Sequence, residues 1–153
     1  MKLVLDHFYY VVSQKDFKEV LKLKSLFPSL EHRITSSQKE SWEGAYFYGA
    51  DGVYFEILKA SQWLKEGMFG AAFSRHGREK RVHEFLIKAF ADLKWRFEEQ
   101  KRSDGSPWFH ISQTDLKGDA VTLWAMDYQG IESAKRRLFG ARAREIGAFG
   151  SFH

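Results

Sequence analysis

The order of elements legible in this sequence predicts an α+β fold built from two successive strand–helix–three-strand (βαβββ) halves. Three observations predict it. The apolar period switches between two and 3.6 residues in the same order twice along the chain. Turn-forming residues punctuate the runs at short intervals. Aromatic residues make up 16% of the 153 positions, and such side chains fill thin, sheet-based folds with little rotamer entropy to lose.

Residues 3–12 are rich in aromatic and β-branched side chains and stop at Ser13-Gln14, which predicts a strand. Both its faces are largely apolar, so it is expected to be central and covered on both sides, with His7 on the face of Leu5 and Tyr9. From Asp16 the spacing of Phe17, Val20, Leu21 and Lys24 is helical, Ser13 or Asp16 can cap the helix, and Pro28 stops it. Residues 31–37 read as a polar edge strand and residues 42–48 as an alternating one. Ala50-Asp51-Gly52 then turns the chain into a strand at 53–58.

After a connector at 60–67 the order repeats. Residues 68–74 are an apolar strand, and 79–93 a helix with Val82, Phe85, Leu86, Ala89, Phe90 and Leu93 on one stripe. Strands follow at 95–100, 108–113 and 120–128, separated by the turns 104–107 and 117–119, and a last helix is expected at 131–139. The chain thus reads as one domain over 1–153, with a first module at 1–60, a second at 68–128 and a helix and tail at 130–153. The repeat is one of element order, not of residues.

Composition narrows the function classes. There is no cysteine, which removes disulfides, thiolate metal sites and cysteine nucleophiles. Met1 to Leu5 imitate the start of a signal peptide, but Asp6 and His7 interrupt it with no small-residue cleavage site behind. No apolar run approaches the ~20 residues needed to cross a bilayer, so a cytoplasmic protein without a membrane partner is expected. The net charge is +4. Lys135, Arg136, Arg137, Arg142 and Arg144 lie among apolar Leu138, Phe139 and Ile146, the pattern of a solvated terminal helix rather than a nucleic-acid surface. The glycine-rich pieces at 67–70 and 147–150 lack phosphate-loop spacing.

Two segments carry a resemblance to a known family: Leu5-Asp6-His7-Phe8 on the first strand, and residues 53–58, Val-Tyr-Phe-Glu-Ile-Leu, on the fourth. They resemble the glyoxalase-like (vicinal oxygen chelate) superfamily, whose modules open on a strand with a metal-ligand His and close on one with a metal-ligand Glu. His7 and Glu56 stand 49 positions apart, a separation typical of that family. Residues 41–56 further resemble a poorly characterised, glyoxalase-related bacterial group. The resemblance implies two modules curled into an open cup with the helices outside, and often a homodimer, which the edge strand at 31–37 would permit. It also implies a divalent metal (Zn, Ni, Fe or Mn) held by His7 and Glu56, whose open positions chelate vicinal oxygens of a small-molecule ligand. Lyase, isomerase or dioxygenase chemistry is the implied class, with Glu56 or His110 as the proton-transfer group.

The second half departs from that pattern. Gly70 or Ala71 stands where the second His belongs, Trp124 stands near the place of the second Glu, and Asp127 falls on the opposite face. Only half of a metal set is visible, to be completed by His110, Glu98 or Glu99, or else lost; three protein ligands are the common minimum. His7 and Glu56 therefore admit two readings, a metal site or a buried polar pair, since a carboxylate between Phe55 and Ile57 must be paired somehow. His110, expected on one face with Trp108 and Ser112, reads either as a third group in the cup or as an ordinary core or surface histidine. Tyr9, Trp42, Tyr46, Tyr54 and Trp124 are candidates to line a ligand pocket. His32, His76 and His83 read as exposed and are assigned no role. The expected function is small-molecule binding in the cup, with or without metal-dependent catalysis. The alternative is a metal-free sequestering protein, with nucleic-acid binding a distant third.

Overall fold

The computed structural model describes residues 2–49, 53–76, 82–114 and 121–128. The two turns at 50–52 and 117–119, the last helix and the basic tail lie outside the described residues. The first half comprises β1 (Lys2–Val12), α1 (Gln14–Lys22) with a 3-10 turn at Leu23–Ser25, β2 (Glu31–Ser36), β3 (Ser41–Tyr48) and β4 (Tyr54–Lys59). The second half comprises β5 (Phe69–His76), α2 (Val82–Ala89), β6 (Trp95–Lys101), β7 (Pro107–Thr114) and β8 (Val121–Tyr128). This is the α+β, twice-βαβββ architecture that the sequence predicts.

All eight strands join one mixed sheet in the order β2-β3-β4-β1-β5-β8-β7-β6. Each half pairs its first and last strands in parallel, β1 with β4 and β5 with β8, and the halves meet where β1 and β5 pair antiparallel. The outermost strands belong to opposite halves, yet they approach each other at one end. Ser37 bridges to Arg102, the Gln38 amide donates to the Lys101 carbonyl at 3.3 Å, and Trp42 stacks on Trp108 with ring centroids 5.9 Å apart. The sheet thus curls into a cup, with both helices on its outer face.

Local chemistry fixes the helices. The Ser13 hydroxyl accepts the Asp16 amide at 3.1 Å, Asp16 sits in the first turn of α1 and Lys22 in the last, favourable at each end of the helix dipole. Phe17 is buried with Leu30 and Ala45, and Val12 and Ile57 pack against them. On α2, Val82 and Leu86 bury against Ala125, with Leu3 and Phe73 beside them. The expected stripe is only partly buried, because α2 ends at Ala89 and leaves Phe90 and Leu93 exposed. The Trp95 indole N–H donates to the Phe90 carbonyl at 3.3 Å, satisfying one acceptor released at that helix end.

Two bulges correct the expected faces. Pairing of β1 with β5 shifts between Leu5 and His7, leaving Asp6 as the extra residue. Leu3 packs under α2 and Leu5, two residues on, shares that outer face, whereas His7, Tyr9 and Val11 alternate beyond the bulge. His7 therefore does not share a face with Leu5; a bulge re-aims the strand that carries it. A second shift, between Gln100 and Lys101, skips Trp108 and turns it toward the cup, away from the face of Ser112.

Candidate functional site

Strand register decides which side chains enter the cup. On β1 these are His7 and Tyr9; opposite them on β4 are Tyr54 and Glu56, and Tyr46 on β3 pairs with Glu56. On the other side, Gly70 and Ala72 of β5 pair with Thr122 and Trp124 of β8. His7, Glu56, Tyr9, Trp42, Tyr46, Tyr54 and Trp124 all line a cavity of about 1180 Å³. A row of rings runs through it: Tyr54 stacks on His7 at 4.4 Å, Trp124 meets His7 edge-on at 5.4 Å, and Tyr9 lies 5.0 Å from Trp124.

At the centre of this row is a buried polar chain. The His7 Nδ1 atom lies 2.8 Å from Asp6 Oδ1, and both side chains are buried. An ionised carboxylate can only accept, so Nδ1 carries a proton directed at Asp6 and Nε2 is the ring nitrogen turned toward Glu56. Nε2 lies 3.7 Å from Glu56 Oε2. Burial raises the Glu56 carboxyl above the usual range, against the opposing pull of His7, Tyr46, Arg33 and Trp42. Burial likewise holds the Tyr46 hydroxyl protonated far into the alkaline range, which keeps it a hydrogen-bond donor to Glu56. Asp6 was not singled out in the sequence. Its signal is a charged residue next to a histidine within an otherwise apolar strand.

The donor set does not fit a resident divalent ion. The first half is arranged as such a site needs, with His7 oriented through Nδ1 by a carboxylate and Glu56 facing its other nitrogen. Among its described residues the second half adds no ligand beside His7 and Glu56. Gly70 stands where a second histidine would, and Trp124 fills the space: a Cβ built on Gly70 would lie 2.8 Å from Trp124 Cζ3, 2.6 Å from Tyr9 Cε1 and 2.4 Å from the Thr122 carbonyl oxygen. Among the described residues no group of three or more His, Cys, Asp or Glu is placed to hold a metal ion.

The other candidates lie apart. His110 pairs with Asp127 and Glu99, on the outer face, and its Nε2 lies 3.9 Å from Glu99. It does not reach the cup, because strand alternation gives the inner positions of β7 to Phe109, Ile111 and Gln113. Glu98 does line the cavity but is engaged at the rim by Lys39 at 3.3 Å and Arg96 at 3.8 Å. His83, expected to be exposed, is half-buried and its Nδ1 lies 3.2 Å from the Ser112 hydroxyl. His32 is exposed and lies 3.0 Å from Glu43. Among the described residues no helix is long and apolar enough to cross a membrane.

Comparison with a solved structure supports the fold. A hypothetical protein from Bacillus halodurans superposes with a TM-score of 0.55 at 13% identity, over 85% of this chain and 97% of its own. Methylmalonyl-CoA epimerase from Mycobacterium tuberculosis gives 0.49 at 9% identity, over 85% and 91%. A 4-hydroxymandelate synthase mutant from Streptomyces coelicolor gives 0.42 at 12% identity, over 94% of this chain and 54% of its own. No curated protein matches the sequence. One family model matches, over residues 5–131, and by that match the chain belongs to the family of unknown function DUF5829.

Proposed function

We propose that this protein is a small-molecule-binding member of the glyoxalase-like (vicinal oxygen chelate) kind whose cup works without a divalent metal. One observation carries the reading: Trp124 occupies the space that a second-half ligand would need, packed on Gly70 and edge-on to His7. A ring there adds to an apolar, aromatic wall and leaves His7 and Glu56 as the polar centre, the usual composition of a ligand pocket. A cavity of about 1180 Å³ suits a multi-ring ligand rather than a three-carbon metabolite.

A second reading rests on the Asp6–His7 contact at 2.8 Å. An imidazole oriented through Nδ1, with Nε2 beside Glu56, is placed for proton transfer, and the protein would then be a metal-free isomerase or lyase. Binding comes first in either case. The test is fluorescence titration of the wild type with acridine, a neutral flat probe, with and without a chelator such as EDTA. Saturable binding that survives the chelator supports the reading. Binding that disappears with the chelator and returns on adding a divalent metal overturns it.

A further inference from the structure

We infer that Trp63, on the connector between the two halves, is a ligand-contacting residue of the cup, and that the ligand presents to it a flat, uncharged ring system. The inference rests on the binding reading above and deepens it to a ligand class and a further residue. An exposed apolar side chain is ordinary on its own. Three observations set Trp63 apart. Of the five tryptophans, Trp63 alone is exposed, at 60%, and it lines the cavity together with Trp42, Trp108 and Trp124. That exposure is held in place by hydrogen bonds. The Ser61 hydroxyl oxygen accepts the amides of Trp63 and Leu64, both at 3.2 Å, and the Ser61 amide donates to the Leu64 carbonyl at 2.9 Å. Beyond them the Gly67 amide donates to the Val11 carbonyl at 2.9 Å and the Val11 amide to the Met68 carbonyl at 2.8 Å, which ties the connector to β1. The connector is also two-sided. Ser61, Trp63, Leu64 and the adjoining Met68 line the cavity, whereas Gln62, Lys65 and Glu66 do not and are exposed.

These contacts point to the ligand class. Leu64 and Met68 pack against Tyr9, Val11 and Leu58, in the same cluster as Trp42 and Trp124, so the Trp63 ring continues the aromatic wall of the cup. A ring held in water at the edge of such a wall leaves apolar area that a ligand would cover, and covering it is favourable in proportion to that area. Stacking uses the π-face and so tolerates many patterns of polar groups on the ligand's edge. The two charged side chains of the connector, Lys65 and Glu66, stay outside the cavity, and this side of the cup offers an ionised group no Coulomb partner. A phosphate ester or a small carboxylic acid would leave the indole in water, whereas a fused-ring ligand reaches it.

The test is acridine binding, followed by acridine fluorescence, in wild type, Trp63→Ala, Trp63→Phe and Lys65→Ala. The expected result is a loss of about tenfold or more in Trp63→Ala, with most of the affinity retained in Trp63→Phe. Lys65→Ala should bind as wild type, because its side chain stands on the same connector but outside the cavity. A second readout needs no variant: hydroxynitrobenzyl bromide alkylates accessible indoles, and peptide mass locates the label. Free wild type should be labelled first at Trp63, and saturating acridine should protect it. Trp63→Ala that binds acridine as tightly as wild type, or Trp63 labelled at an unchanged rate in the complex, overturns the inference while the binding reading stands. Equal losses in all three variants overturn it too, since they report the shape of the connector and not a ring contact. Failure of wild type to bind acridine overturns both readings. Should Trp63→Ala not fold, the labelling result decides alone.

Discussion

Gly70 offers the sharpest test of how the second half of the cup is built. Substituting alanine adds one methyl group, and its three nearest atoms lie at 2.4, 2.6 and 2.8 Å, all inside van der Waals contact. Two of these belong to the Tyr9 and Trp124 rings, which can tilt. The nearest is the Thr122 carbonyl oxygen on the paired strand, which moves only if β5 and β8 separate. Overpacking of a fitted interior costs about 1–3 kcal/mol, and the backbone contact places Gly70→Ala in the upper part of that range. Urea unfolding followed by tryptophan fluorescence measures the cost, with an unchanged m-value required for the comparison. In Gly70→Ala/Trp124→Ala, the loss should be less than the sum of the single losses, because one of the three contacts is gone, but the Thr122 contact keeps rescue incomplete. Gly70→Ala within about 0.5 kcal/mol of wild type, the scatter of an unconstrained surface site, would refute the claim that this side of the cup is closed to a side chain. A histidine there meets the same obstacle with a larger group.

Four further outcomes follow from the geometry. Glu56 has its carboxyl raised by burial, so the folded state favours the protonated form: its stability contribution is present below the unfolded-state pKa and is lost as pH rises through the folded one. Glu56→Gln, which cannot ionise, should therefore gain stability relative to wild type as pH rises above the ordinary glutamate range, read from urea midpoints at several pH values; a constant difference contradicts this. Phe17→Ala empties the centre of the cluster under α1 and should cost about 3–5 kcal/mol, measured by the same unfolding assay. Ser13→Ala removes the cap on the Asp16 amide and should cost about 1 kcal/mol, seen as a lower urea midpoint. His110→Ala, on the outer face, should leave acridine affinity unchanged, and a clear loss would return His110 to the site.

Most of the fold was legible because each strand or helix carries its own period and its own stop. Ser13, Pro28 and the Asp104–Pro107 turn end their elements by local chemistry, and Gly105 adopts the φ of 84° that such a turn uses. The places where the reading failed are those where one residue shifts a register. The bulge at Asp6 separates Leu5 from His7, and the skipped Trp108 turns inward; neither changes the apolar pattern of its strand. Asp6 itself was legible only as a charge that interrupts a leader-like run, because its contact with His7 depends on that bulge. The approach of β2 to β6, through Ser37–Arg102 and Trp42–Trp108, joins segments distant in sequence and has no local signal at all. His7 and Glu56 could be named from the sequence because a histidine and a glutamate in apolar strands need partners. That the partner of His7 on its other nitrogen is Asp6, and that Trp124 closes the opposite wall, needed coordinates.

The central claim is that the cup is complete without a metal, and elemental analysis tests it most directly. Wild type and His7→Ala, purified without a metal-affinity tag, are assayed for divalent ions and checked for folding by circular dichroism. The account predicts substoichiometric metal in both proteins. One divalent ion per folded chain, lost in His7→Ala, would contradict it and would mean that a metal is held at His7 and Glu56 despite Trp124.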